Sequence, residues 1–109
     1  MYLRRTSNSF NIEVPAGTDP NSAAVKTEHY VWGSFMLPAA LGSTIKFQVS
    51  NDGTNWFDAV DDSNTALSTI DSSAGKHVVI PVSCFTAMQF RIAVTGTVTA
   101  TSLPTKLYS

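Results

Sequence analysis

The chain has 109 residues and a mass of 11.7 kDa, enough for one hydrophobic core and too short for two. Seven Lys and Arg against eight Asp and Glu leave a formal charge of -1, which excludes the basic excess a nucleic-acid binder uses to neutralise phosphates. With 43% hydrophobic residues, only 14% charged, and 13 each of Ser and Thr, the composition excludes a disordered chain and gives a hydroxyl-rich, weakly ionic surface.

Met1-Tyr2-Leu3-Arg4-Arg5 is followed by Thr6-Ser7-Asn8-Ser9 rather than by an apolar stretch, so it does not read as a secretory signal. No run of about 18 apolar residues offers a membrane span. Residues 1–9 read as an N-terminal arm and 10–109 as a single β domain. In the arm, Tyr2, Leu3, Arg4 and Arg5 combine apolar and basic groups suited to lying on a neighbouring subunit, with the guanidinium groups forking to carboxylates. A frayed terminus is the other reading.

Phe10, Ile12 and Val14 alternate before Pro15-Ala16-Gly17, the period of a half-buried strand. Lys26 to Leu37 holds Tyr30, Val31, Trp32, Phe35 and Met36, with Gly33 predicting a bulge or kink and the aromatics expected in the core. Pro38 and Gly42 delimit a loop. Ile45, Phe47 and Val49 then alternate with Lys46, Gln48 and Ser50. Asn51-Asp52-Gly53-Thr54 is a strong hairpin signal, because Gly53 takes a positive φ without a Cβ clash. The returning strand is expected over Asn55 to Val60.

Asp61 through Gly75 reads as a polar exposed loop, with a short extended or helical piece at Ala66 to Ile70. His77 to Val82 is β-branched, and Pro81 ends it or places it at an edge. Met88, Phe90, Ile92 and Val94 alternate up to Gly96, and Thr97 to Ala100 resumes an extended pattern. Leu103 and Leu107 flank Pro104 in a short final strand. About eight short strands without a convincing helix predict an all-β chain, an antiparallel sandwich or barrel of jelly-roll type.

Catalytic chemistry is hard to find. Cys84 is the sole cysteine, which rules out an intrachain disulfide and a Cys-based zinc site. Its Pro81-Val82-Ser83-Cys84-Phe85 setting is that of a buried, inert thiol. His29 and His77 stand apart with no carboxylate at a motif spacing, and no nucleophile elbow, phosphate loop or zinc-protease motif occurs. Asp52, Asp58, Asp61 and Asp62 supply oxygens for calcium, but without the spaced ligand loop, so turn chemistry accounts for them better. No catalytic residue, cofactor or metal is therefore expected.

Trp56 and Phe57 are neighbours in an alternating strand and point to opposite faces. If Phe57 is internal, Trp56 becomes a platform for a sugar ring, with Asn55, Asp52 and Asp58 beside it. The preferred reading packs Trp56 across the hairpin on Phe47 or Val49, or has it cap the sandwich edge.

The order Trp32-Gly33, Leu37-Pro38, Ile45-Lys46-Phe47-Gln48-Val49-Ser50-Asn51-Asp52-Gly53-Thr54-Asn55-Trp56, a polar loop, Val79-Ile80-Pro81 and Phe90-Arg91-Ile92 resembles small β-sandwich virion proteins of tailed bacteriophages. The likeness spans about Tyr30 to Val94. It implies a non-enzymatic capsid decoration (cement) protein, or a tail or neck component, made in the host cytoplasm and carried on the capsid surface. The implied partner is the major capsid protein of the same virus, and the implied assembly is a homotrimer. Neither nucleic acid nor membrane is an expected partner. The hairpin also looks like that of discoidin-type carbohydrate-binding sandwiches, which implies the alternative of a carbohydrate- or receptor-binding module of a phage tail or fibre.

Overall fold

A computed structural model describes residues 7–61, 63, 65, 70, 71, 73 and 75–109. Apolar residues alternate along most of the chain, and strands follow from that pattern: β1 (Ser7–Val14), β2 (Gly17–Thr18), β3 (Val25–Lys26), β4 (Trp32–Leu37), β5 (Thr44–Ser50), β6 (Phe57–Asp58), β7 (Ile70–Asp71), β8 (Lys76–Val79), β9 (Gln89–Thr95), β10 (Thr97–Val98) and β11 (Thr101–Tyr108). One sheet has the order β1-β11-β4-β8, the other β3-β9-β5-β6 with β7 also on β5, and β2 pairs β10 in a small ribbon. Every pairing is antiparallel.

The pairing nests. β1 meets β11, β3 meets β9, β4 meets β8 and β5 meets β6, as if one long hairpin had been rolled up. That is jelly-roll topology, with β7 added to the second sheet, as the strand count and turn spacing predict. The last strand, β11, lies inside its sheet between β1 and β4.

The sheets face each other across one apolar layer. Ile12, Val14, Phe35, Leu37, Leu103 and Leu107 come from one side, and Ile45, Phe47, Phe90, Ile92 and Val94 from the other. Phe35 meets Phe47 across the layer with ring centroids 6.1 Å apart, and Phe47 meets Phe90 at 6.2 Å. Such tilted aromatic contacts add to the burial that drives the sheets together.

Several expectations need correction. Gly33 makes neither bulge nor kink; it pairs in register with Leu107. It is glycine because an added Cβ would fall 2.5 Å from Leu107 Cδ2 and 2.7 Å from the Lys106 carbonyl oxygen. The buried parity of β4 is thus Gly33, Phe35 and Leu37, and Trp32 and Met36 are turned outward rather than into the core. The strand returning from the Asn51–Thr54 turn shrinks to Phe57–Asp58. The expectation at Pro81 holds, in that β8 ends at Val79, at the edge of its sheet, and a short 3-10 turn covers Val82–Phe85. Of the piece expected at Ala66 to Ile70, residues 66–69 lie outside the described residues, and Ile70 opens β7. Ser7, Asn8 and Ser9, placed in the arm from sequence, are the first pairs of β1 with β11.

Candidate functional site

The hairpin loop is built around one carboxylate. Asp52 Oδ1 accepts the backbone N–H groups of Thr54 (2.9 Å) and Asn55 (2.8 Å) and the Ser50 hydroxyl (3.0 Å), while Oδ2 accepts Asn55 Nδ2 (2.7 Å). Hydrogen bonds to the charged form stabilise it, so the Asn55 and Thr54 amides hold Asp52 far below the usual carboxylate range. Gly53 has φ +78, as the turn requires. Asp61 repeats the device, with Oδ1 accepting the N–H of Ser63 and of Thr65 at 2.9 Å each. Both acids act as turn formers.

Trp56 and Asp58 share the outer face of the five-stranded sheet with β5 and β9. Asp58 accepts Gln48 Nε2 at 3.1 Å and Lys46 Nζ at 3.2 Å, and these two partners, Gln48 first, lower its pKa. Gln48 Oε1 in turn accepts Arg91 Nε at 2.9 Å. The Arg91 guanidinium lies 4.4 Å from the Trp56 ring centroid, a cation–π contact. Trp56 therefore packs on Arg91 of β9, not on Phe47 or Val49 as expected. Phe57, paired with Val49 on the other parity, projects past the end of the core and is 70% exposed. The four residues expected to meet a sugar thus divide into a loop pair, Asp52 and Asn55, and a sheet pair, Trp56 and Asp58. Every oxygen of both carboxylates accepts a hydrogen bond from its own loop or sheet, and one face of the indole is covered.

Of the groups weighed for chemistry, Cys84 is fully buried, and desolvation pushes its thiol up to about 12. His29 occupies the turn after β3 and His77 faces outward on β8. Among the described residues no three His, Cys, Asp or Glu side chains gather as a metal site. Tyr2, Leu3, Arg4 and Arg5 lie outside the described residues.

A different surface stands out, the outer face of the four-stranded sheet. Strand register places Tyr108 beside Trp32, Ser34 between Lys106 and Val79, and Met36 beside His77. Trp32 and Tyr108 stack with centroids 4.5 Å apart at 21°, and Lys106 Nζ lies 5.3 Å from the Tyr108 ring centroid. Met36 and Val79 are more than half exposed. A shallow depression of about 520 Å³ runs between Met36, His77, Pro104, Lys106 and Tyr108. Aromatic, methionine and aliphatic groups with one cation at the margin make a surface suited to protein contact. Sequence reading missed it because both parities of Trp32-Gly33-Ser34-Phe35-Met36-Leu37 carry apolar residues. Only the glycine, which needs a close neighbour, tells which parity turns inward.

No family model, curated protein or solved structure was found to match the chain.

Proposed function

We propose that this protein is a non-enzymatic docking module, a capsid decoration protein of a tailed phage whose four-stranded sheet lies against the major capsid protein. The observation that carries the reading is the outward row of Trp32, Met36, Val79 and Tyr108. Such a row is expensive to leave wet on a chain with so few charges, and it gains by being covered. The rest of the fold supplies stiffness: a jelly roll held by one apolar layer, with its turn acids satisfied internally. The resemblance of the Ile45 to Trp56 hairpin to virion sandwiches points the same way. The saccharide alternative is less well supported, since Asp52 and Asp58 spend their oxygens on their own loop and sheet.

The test is cosedimentation with purified heads of the phage that encodes the chain. Wild-type protein is expected to pellet with the heads. A Met36→Glu, Val79→Glu double variant, altered only at exposed positions, is expected to stay in the supernatant with an unchanged melting temperature. Equal pelleting of the variant, or no pelleting of folded wild type, overturns the reading.

A further inference from the structure

We propose that two copies of this chain join through their β1 strands, pairing antiparallel about a two-fold axis at Ser9. This goes beyond docking on a shell and does not depend on it.

The direction of the backbone groups along β1 is fixed by three observations. The Glu13 carbonyl accepts the Ala23 N–H at 3.0 Å, so Glu13 turns its backbone groups away from β11. Asn11 lies opposite Pro104, which has no N–H to give. Tyr108, opposite Ser7, spends its carbonyl on the Val31 N–H at 2.8 Å, on the β4 side. Backbone direction alternates along an antiparallel strand. Asn8, Phe10 and Ile12 therefore bond to β11, and Ser7, Ser9 and Asn11 aim theirs outward. Those three residues are exposed, and no hydrogen bond from another described residue meets the outward groups of Ser9 or Asn11.

An edge of this kind is a template for another strand unless it is short, charged, bulged or broken by proline. The opposite edge, β8, is blunted in that way, with four residues beginning at Lys76. From Ser7 to Asn11 β1 has no charge, proline or bulge.

The segment is self-complementary. With Ser9 on the axis, Ser7 of each copy faces Asn11 of the other, and Asn8 faces Phe10. The small polar side chains of Ser7, Ser9 and Asn11 meet without crowding or like charges. Phe10 of the second copy falls at the mouth of a groove of about 280 Å³ that runs beside β1 between Asn8, Val25 and Tyr30. The ladder stops after Asn11, since Ala23 already holds the Glu13 carbonyl.

Light scattering on the protein alone, over a range of concentrations, tests the pairing. The expected mass at high concentration is twice the 11.7 kDa of one chain. Ser9→Pro removes an outward N–H without touching the β1–β11 ladder, and it is expected to weaken dimerisation about tenfold or more while native circular dichroism persists. Amide exchange supplies a readout independent of folding yield: Ser9 and Asn11 gain protection with concentration, while Asn8 and Phe10 are protected throughout. A monomer at every concentration, a trimeric mass, or a dimer indifferent to Ser9→Pro overturns the proposal. None of these outcomes bears on binding to heads, which the Met36 and Val79 variants read separately.

Discussion

Asp52 shows how one side chain sets a local shape. Its two oxygens close the loop between β5 and β6 by taking the amides of Thr54 and Asn55, the Ser50 hydroxyl and the Asn55 side chain. A carboxylate whose folded-state pKa is depressed adds stability above its unfolded pKa and loses it as pH falls toward the folded value. Asp52→Asn keeps the shape of the side chain but removes the charge, so it is expected to lower the melting temperature at neutral pH. The gap to wild type should narrow below about pH 3.9, the ordinary aspartate value, and close in strong acid; a gap that stays constant across a pH series of melts would sink the assignment. That an acid at this place forms a turn is legible in Asn51-Asp52-Gly53-Thr54. The fate of Trp56 is not, because it depends on Arg91, which comes 35 positions later in the chain.

Strands were easier to read than the directions their side chains take. Where one parity is apolar and the other polar, as in Ile45-Lys46-Phe47-Gln48, alternation names both the strand and its buried face. β4 defeats the rule, since Trp32 and Met36 are as apolar as Phe35 and Leu37. Its orientation is decided by Gly33, whose missing Cβ lets the backbone of β11 approach. Gly33→Ala is expected to destabilise the protein by about 2 kcal/mol, since the new methyl group meets Leu107 and the Lys106 carbonyl. Chemical denaturation measures this, and a neutral outcome would show that β4 and β11 can part without penalty. Strand ends were read less well. The expected return from Asn55 to Val60 is a continuous strand only over Phe57–Asp58, because Asp52 draws Thr54 and Asn55 into the loop. β11, by contrast, runs straight past Pro104: the missing N–H falls opposite Asn11, where β1 and β11 exchange no hydrogen bond, and the pairing with β4 begins only at Thr105.

The nesting of β1 with β11 makes the four-stranded sheet depend on Thr101–Tyr108. β11 separates β1 from β4 and contributes Leu103 and Leu107 to the apolar layer. A chain stopped after Ala100 is expected to show no cooperative melting and no dispersed amide spectrum; a folded product would mean that β1 can reach β4 directly. Jelly-roll nesting was legible as a class from strand number and turn spacing, whereas the outer apolar row was not, since it arises only when β4, β8 and β11 are laid side by side. A central strand made after both of its neighbours has a consequence for biosynthesis. Until β11 has left the ribosome, β1 and β4 wait without the strand that joins them, so this sheet closes late and not as its strands emerge. A stop before β11 leaves two open strand edges, the kind of product that aggregates or is degraded.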